Sequence, residues 1–449
     1  MLFSSNVFLF AFLPAVLLTY YLVPRRFRNV VLLLFSLFFY GWGEPVYLFL
    51  MLGDILLNYL CGMWIAVGRT KGGSGRPGLI TGVVLNLLLL GFFKYGHFLS
   101  GGLLPQLPLP IGISFYIFQS MSYLIDVYRQ DAPLQRNLLT FGTYVTLFPQ
   151  LIAGPIVRYT DVAQRLQKRR ENLPQFASGV LRFIAGLSKK VLLGNPMGSL
   201  WNLLQAREGT AAAWMGLLAY SLQIYFDFSG YSDMAIGLGR MFGFEFLENF
   251  NYPYISASIT EFWRRWHISL STWFREYVYI PLGGNRRGKP RQLLNLLIVW
   301  LLTGLWHGAS WNFVLWGGYY ALLLIAEKTF LMRWLQKIPA FFRHLYAMLA
   351  VMLGWALFYF EDLNALGVFL ARLFRPVSSA GAAELMLGYL PLTAAALLAA
   401  TPWAKNRTNP HSGSAALRYG TILAAALLLV LCVASLASQS YNPFIYFRF

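Results

Sequence analysis

Apolar stretches of about 20 residues, the length that crosses a hydrocarbon core, recur from one end of this chain to the other. Short connections that are basic or rich in glycine and proline separate them. The pattern predicts about ten membrane-spanning segments, some of them broken or re-entrant. We therefore expect an all-α, polytopic membrane protein.

The first third of the chain predicts a regular series of spans. Residues 2–23 are apolar, have no basic region before them and no convincing cleavage site, and are followed by Arg25, Arg26 and Arg28. This predicts an uncleaved first span with its N-terminus outside, because positive charges favour the cytoplasmic side. The next spans are expected at residues 30–40, 46–67, 79–99 and 111–127.

The middle third carries polar groups in apolar surroundings. Pro149, Gly154 and Pro155 interrupt an apolar stretch that basic residues follow closely, which indicates a segment that re-enters from the cytoplasmic side. Residues 180–195 mix basic and aliphatic side chains at helical spacing and predict an interfacial helix. A further span is expected at residues 211–228.

The last third predicts more spans. Residues 293–325 form a long apolar segment with His307 near its middle. No repeat of fixed period and no inverted duplication is visible, so we expect a single membrane-embedded domain, residues 1–449, that ends in an aromatic tail at residues 441–449. Three apolar blocks lie between the segment 293–325 and this tail, at residues 345–359, 385–400 and 421–436.

Composition and charge narrow the classes of partner. Hydrophobic residues make up 57% of the chain and charged residues 12%, far from the balance of a soluble domain. The net charge of +19 lies in short clusters between spans, which argues against nucleic acid and for anionic headgroups or an anionic cofactor. Cys61 and Cys432 have no metal-binding spacing, so neither a metal site nor a disulfide framework is expected.

His307 is an ionisable residue in an apolar segment. Such a residue is costly inside a membrane, so we expect it to have a specific role. A neutral imidazole shielded from water can take a proton from a hydroxyl as its oxygen attacks a carbonyl, which is general-base catalysis. The alternative is a structural histidine hydrogen-bonded between helices. Its small neighbours, among them Gly304 and Gly308, fit either close helix approach or a narrow channel. Trp306, Trp311 and Trp316 either line that channel or anchor the interface.

A second segment, residues 261–279, is dense in tryptophan and arginine and contains His267. On a helix, Trp263, Trp266 and His267 would share one face. Its arginines, with those that follow, would offer guanidinium groups to phosphates at the cytoplasmic mouth. The alternative is an amphipathic interfacial helix whose arginines meet lipid headgroups.

Two further groups stand out. The polar residues within 225–254 include carboxylates, for which pairing with nearby arginines is a better explanation than catalysis. The aromatic tail contains Tyr446. It is either an interfacial anchor or a tethered segment that presents the Tyr446 hydroxyl at a high effective concentration.

These residues together resemble the membrane-bound O-acyltransferase (MBOAT) family, in the branch that contains bacterial alginate O-acetyltransferases. The resemblance covers nearly the whole chain. Its most specific parts are residues 262–273 with His267, residues 279–286 reading Tyr-Ile-Pro-Leu-Gly-Gly-Asn-Arg, residues 305–316 with His307, and residues 225–233.

The resemblance implies a ring of about ten or eleven tilted transmembrane helices with re-entrant segments around a central tunnel. It gives His307 the position of the family's essential membrane-embedded histidine and His267 that of a second histidine nearer the cytoplasm. The tail is similar to one in this branch and in a small partner protein of the related teichoic acid D-alanylation system. There the tyrosine is implicated as a transient acyl carrier, which implies that role for Tyr446.

On this basis we expect a multi-pass O-acyltransferase of the bacterial inner membrane that O-acetylates an exported polysaccharide. Acetyl-CoA would be the donor substrate, with no permanently bound cofactor, and His307 the general base. An extracytoplasmic SGNH-hydrolase-like acetyltransferase would complete the transfer to the polysaccharide. The residues expected to hold the CoA phosphates and line the pantetheine path are Arg264, Arg265, Arg286 and Arg287, and Trp263, Trp266 and Trp273.

Two other classes of protein fit the apolar pattern. A transporter for a polysaccharide or lipid carrier also needs many spans and a polar interior. A non-catalytic scaffold of a secretion complex needs neither histidine. Substitution of His307 separates the three, because only an acyltransferase depends on it.

Overall fold

In the computed structural model, which describes residues 1–70, 72–152, 154–378, 381–403 and 415–438, all regular secondary structure is helical. The prediction of an all-α protein is therefore confirmed for these residues. Short π-helical turns continue several helices, at Phe8–Phe12, Lys189–Gly194, Arg275–Tyr279 and Glu327–Leu331. The α-helices, in chain order, are α1 (Leu13–Leu22), α2 (Arg28–Gly41), α3 (Tyr47–Thr70), α4 (Arg76–Leu99), α5 (Ile113–Arg129), α6 (Leu138–Thr146), α7 (Phe148–Leu151), α8 (Tyr159–Gln167), α9 (Leu173–Ser188), α10 (Asn195–Gln205), α11 (Thr210–Met241), α12 (Ile259–Arg265), α13 (Ile268–Phe274), α14 (Lys289–His307), α15 (Trp311–Ala326), α16 (Met332–Leu335), α17 (Ala340–Tyr359), α18 (Leu363–Arg372), α19 (Ala382–Ala399) and α20 (Ala415–Ser438).

Among the described residues, six helices are long and apolar enough to cross a membrane. Two shorter apolar helices, Phe8–Leu22 and Leu363–Arg372, accompany them. The chain is thus a multi-pass membrane protein, while the ring of about ten or eleven helices and its tunnel stay a prediction. The six candidate spans are Tyr47–Thr70, Arg76–Leu99, Trp311–Leu335, Ala340–Tyr359, Ala382–Ala399 and Arg418–Ser438.

The chain divides into two compact units. The first consists of Met1–Phe183 with Tyr231–Leu247, and the second of Ile184–Gly230 with the described part of Glu248–Phe449. Helix α11 contributes residues to both. The single domain expected from the sequence stays a prediction.

The first unit joins three of its helices by buried polar side chains. Asp54 on α3 accepts hydrogen bonds from Asn58 Nδ2 (2.9 Å) and from Ser120 Oγ on α5 (2.8 Å). Asn86 Nδ2 on α4 donates to Asn58 Oδ1 (2.7 Å). Each polar group so paired is buried, which lets these helices pack in an apolar medium where unpaired polar groups would be costly.

Residues 180–195, expected as an interfacial helix, are partly buried. Lys190 is 1% exposed, forms an ion pair with Asp227 (2.6 Å) and donates to Asn195 Oδ1 (2.7 Å). Helical spacing of charge does not distinguish a solvated lysine from one whose partner lies on a distant segment, and the interfacial location of this helical region stays a prediction. A Cβ on Gly230 would lie 2.7 Å from the Gly186 carbonyl oxygen, so the absence of a side chain brings the Asp227 segment close.

The apolar segment 293–325 forms two helices, and His307 lies at the break between them. Helix α14 ends at His307, Gly308 is extended (φ −169°), and α15 begins at Trp311. A Cβ on Gly304 would lie 2.2 Å from the Phe313 carbonyl oxygen, and one on Gly308 2.2 Å from the Phe313 ring. Of the two roles that the sequence left open for these glycines, close packing of α14 and α15 is the one observed.

Candidate active site

His307 is the last residue of α14 and lies in the second unit among aromatic rings. Its ring centroid is 4.9 Å from that of Trp306, 5.1 Å from that of Trp316 on α15 and 5.1 Å from that of Phe358 on α17. The side chain is 7% exposed. These rings shield the His307 imidazole, at the end of α14, from bulk water.

The other tryptophan of this segment is placed differently. Trp311, at the start of α15, is 62% exposed. Of the three tryptophans that the sequence offered either as channel lining or as anchors, Trp306 and Trp316 contact His307, and the exposure of Trp311 suits an anchor. Their roles toward a substrate stay predictions.

His267 lies at a break between two helices, so the expected single helix with Trp263, Trp266 and His267 on one face is wrong. Helix α12 ends at Arg265, Trp266 is extended, and His267 has a positive φ of 46°. The left-handed conformation costs roughly 1–2 kcal/mol for a residue with a Cβ. The structure must therefore hold it in place by other contacts.

The segment around Asn249 supplies those contacts. The Ile268 N–H donates to the Asn249 carbonyl (3.0 Å), and the Asn251 N–H donates to the Arg265 carbonyl (2.9 Å). Asn249 Oδ1 accepts from the Ser269 N–H (3.1 Å) and from the Ser269 hydroxyl (2.9 Å). Backbone groups freed by the break are thus satisfied by residues from before α12, which sequence spacing within α12 does not reveal.

Asn249 also sets the tautomer of His267. Because Asn249 Oδ1 accepts from Ser269, it is an acceptor, and His267 Nδ1 at 3.2 Å donates to it. His267 is 1% exposed and lies outside the candidate spans. Burial lowers its pKa to about 3, which keeps the ring neutral at physiological pH.

Both histidines contact the indole ring of Trp306. The Trp306 ring centroid lies 4.9 Å from that of His307 and 6.0 Å from that of His267. Phe228 on α11 covers His267 from another side, at 4.8 Å. The structure therefore brings together the two histidines that the sequence singled out, although they lie on separate elements.

The three tryptophans of the expected donor path are all buried. Trp263 contacts Trp316 (5.5 Å) and so borders the rings around His307, while Trp266 packs on Trp355 (4.7 Å). Trp273 packs on Tyr277 instead (5.2 Å). The buried Nε1 atoms of Trp263 and Trp316 have no acceptor among the described residues.

The four arginines are not equivalent. Arg264, Arg286 and Arg287 are exposed. Arg265 is paired with Glu261 (2.9 Å) and donates to the Asn251 carbonyl (3.1 Å), which makes it part of the support for the helix break.

The loop that carries Arg286 and Arg287 leads into the end of α14 opposite His307 and is hydrogen-bonded to the first half of that helix. Asn295 Nδ2, on α14, donates to the Gly284 carbonyl (3.1 Å). Helix α14 has 19 residues, so at 1.5 Å per residue its two ends lie roughly 27 Å apart. A donor that reached both the arginines and His307 would have to extend along this helix.

Most carboxylates of the polar region have cationic partners. Asp233 pairs with Arg182 (2.6 Å) and Glu245 with Arg165 (2.6 Å), which confirms the predicted pairing with arginines for these two. Asp227 pairs with a lysine instead. Among the described residues no cluster of three or more metal-ligating side chains occurs. Tyr446 lies outside the described residues.

Sequence reasoning missed the contact of Asn249 with His267, and it missed Phe358 altogether. Asn249 belonged to the polar region, but nothing in its spacing indicates that it faces His267. Phe358 is one phenylalanine among 37 and becomes recognisable only because α17 places it beside His307.

The sequence model of a family described as MBOAT, membrane-bound O-acyltransferase family, matches residues 129–369. The chain is 42% identical to a probable alginate O-acetylase of Azotobacter vinelandii, over the full length of both chains. It is 36% identical to the peptidoglycan O-acetyltransferase of Helicobacter pylori, over 74% of this chain and 71% of that one. It is 29% identical to the teichoic acid D-alanyltransferase of Bacillus subtilis, over 60% of this chain and 72% of that one.

Proposed function

This chain belongs to the membrane-bound O-acyltransferase family, and on that premise we propose that it moves an acetyl group from cytoplasmic acetyl-CoA across the bacterial inner membrane for O-acetylation of an exported polysaccharide. Family membership confirms the resemblance found in the sequence and identifies an acyltransferase rather than a transporter or a scaffold. The observation that carries the proposal is His307, enclosed by aromatic rings at the end of α14 inside the matched region.

His307 acts as the general base. A hydroxyl oxygen attacks the thioester carbonyl carbon, the imidazole takes the hydroxyl proton, the carbon–sulfur bond breaks, and CoA leaves as a thiolate that is then protonated. The rings of Trp306, Trp316 and Phe358 support this role because they exclude water, which would otherwise hydrolyse the thioester.

The donor binds along α14. Arg264, Arg286 and Arg287 contact the phosphates of acetyl-CoA, since their exposed guanidinium groups suit phosphate oxygens. The ion pair of Arg265 with Glu261 favours a supporting role for that arginine. Trp263, Trp266 and Trp273 line the pantetheine path, with Trp263 beside the rings that surround His307 and Trp273 beside Tyr277.

The acceptor is the Tyr446 hydroxyl of the C-terminal tail. It receives the acetyl group as a phenyl ester, and an extracytoplasmic SGNH-hydrolase-like acetyltransferase passes the group to the polysaccharide. A tether supports this step because it holds the hydroxyl at a high effective concentration. The 42% identical relative from Azotobacter vinelandii is named for alginate, which is therefore the first polysaccharide to test.

Radiolabelled acetyl transfer onto the purified protein tests the relay. Wild type, His307→Ala and Tyr446→Phe are incubated with labelled acetyl-CoA, and the C-terminal peptide is analysed by mass spectrometry. We expect label on Tyr446 that requires His307. Thioester consumption that depends on His307 but is the same in Tyr446→Phe as in wild type would make the tail an anchor and leave the acyltransferase proposal intact.

A further inference from the structure

Glu327 is a buried carboxylate in the π-helical turn that continues α15. Its Oε1 accepts a hydrogen bond from the Ile259 N–H (2.7 Å), and its Oε2 accepts from the Thr260 N–H (2.8 Å) and the Thr260 hydroxyl (2.6 Å). The Tyr346 hydroxyl of α17 donates to Oε1 (3.2 Å). One carboxylate thus joins three helices in the second unit.

The bonds of Glu327 fall on the first two residues of α12, and that short helix leads to the site. Trp263, on the next turn of α12, contacts Trp316, which contacts His307. The helix then ends directly before the break at His267. A shift of α12 along α15 would therefore displace both Trp263 and His267.

We propose that Glu327 is a positioning residue for acyl transfer, which fixes the start of α12 against α15 and so keeps Trp263 and His267 in place beside His307. The inference rests on the proposed function. It does not make Glu327 a catalytic residue, because its carboxylate contacts backbone and hydroxyl groups of α12 and α17.

The chemistry of the contact explains why a carboxylate stands here. Two neighbouring N–H groups and a hydroxyl need two acceptor oxygens, and a carboxylate supplies both. Glutamine of the same size supplies one oxygen and would turn its own N–H2 group toward a donor. Hydrogen bonds to a charged group are also the stronger ones, and leaving a buried N–H without an acceptor is costly.

The test compares Glu327→Gln with Glu327→Asp, which keeps both oxygens on a shorter side chain. Glu245→Gln is the control, because it removes an exposed carboxylate paired with Arg165 in the other unit. For each purified protein we would measure CoA release from acetyl-CoA, melting temperature, and hydrogen exchange of peptides that cover residues 258–267 and, as a reference in the other unit, residues 47–58 of α3.

For Glu327→Gln we expect kcat to fall about 10- to 100-fold, as a displacement near 1 Å does at other active sites, while the KM for acetyl-CoA rises by a smaller factor, because Trp263 also borders the proposed pantetheine path. Exchange should accelerate at residues 258–267 and stay unchanged at residues 47–58, which do not contact Glu327. Glu327→Asp should recover part of kcat, and Glu245→Gln should match wild type.

Two results would overturn the positioning role. One is a wild-type kcat in Glu327→Gln. The other is a loss of activity that follows a lowered melting temperature, with exchange accelerated in both peptides, because that describes general destabilisation. If wild type releases no CoA, the proposed function fails, and the exchange comparison still decides whether Glu327 holds α12.

Discussion

His267 and His307 contact the same indole, that of Trp306, in different surroundings. His307 is bordered by aromatic rings, whereas His267 is hydrogen-bonded to Asn249 and held in a left-handed conformation. Non-glycine residues held in strained conformations cluster at functional sites, and His267 is one of three with a positive φ among the described residues. In the proposed mechanism, His307 takes the proton and His267 supplies a neutral, oriented ring.

The neutral state of His267 predicts a pH dependence of stability. Burial holds its pKa at about 3 in the folded protein against 6.5 ordinarily, so below pH 6.5 the unfolded chain binds the extra proton first. The free energy of unfolding is therefore unaffected by His267 titration above about pH 6.5. It decreases as the pH drops toward 3, and at pH 5 it is lower by about 2 kcal/mol. We expect His267→Gln to lose less stability than wild type between pH 7.5 and pH 5, measured by thermal unfolding in detergent. An equal loss in both proteins would contradict a buried neutral histidine.

Asn249 should matter for activity through its side chain. Asn249→Ala removes the acceptor of His267 Nδ1 and of both Ser269 donors, so we expect kcat for CoA release to fall about 10- to 100-fold. Asn251→Ala is the control, because Asn251 supports the break through its backbone N–H and its side chain is exposed. Equal activities of the two variants would remove Asn249 from the site.

The sequence identified both histidines, since ionisable residues in apolar or aromatic segments are rare and conspicuous. It did not identify how they are held. The partner of His267 is Asn249, and the ring beside His307 is Phe358, both from other segments. Such pairings depend on tertiary structure, which the local spacing of residues does not encode.

Helices α14 and α15 are packed at the distance that glycine allows. A Cβ on Gly317 would lie 2.3 Å from the Trp300 carbonyl oxygen, whereas one on the adjacent Gly318 would meet its nearest neighbour at 4.0 Å. We expect Gly317→Ala to destabilise the protein by about 1–3 kcal/mol and to reduce activity, and Gly318→Ala to resemble wild type. Melting temperatures and CoA release would decide this. A Gly317→Ala variant with the melting temperature and activity of wild type would show that α14 and α15 can move apart without loss of stability or activity.

Long apolar helices were predicted well and helix breaks were not. The segments 46–67, 79–99 and 111–127 correspond to α3, α4 and α5, because their apolar composition alone determines helices of that length. The breaks after Trp266 and His307 depend on the Asn249 segment and on the close approach of Phe313 to Gly308. Neither cause lies in the hydrophobic pattern.

The charge of the whole chain, +19, suits an anionic donor at the exposed arginines. We expect the double variant Arg286→Ala/Arg287→Ala to raise the KM for acetyl-CoA about 10-fold and to weaken its dependence on salt, since two contacts with phosphate are lost. Arg25→Ala is the control, an exposed arginine of the other unit. An unchanged KM would move the phosphate site elsewhere.

General-base catalysis by His307 can be tested directly by measuring CoA release from acetyl-CoA by the purified full-length protein in lipid. Wild type is compared with His307→Ala and His97→Ala. His97 is an exposed histidine whose Nδ1 lies 2.8 Å from the Leu104 carbonyl oxygen, in the other unit. General-base catalysis by His307 predicts a loss of at least about 100-fold in His307→Ala, with His97→Ala equal to wild type. Wild-type release of CoA by His307→Ala would contradict the assignment of His307 as the base.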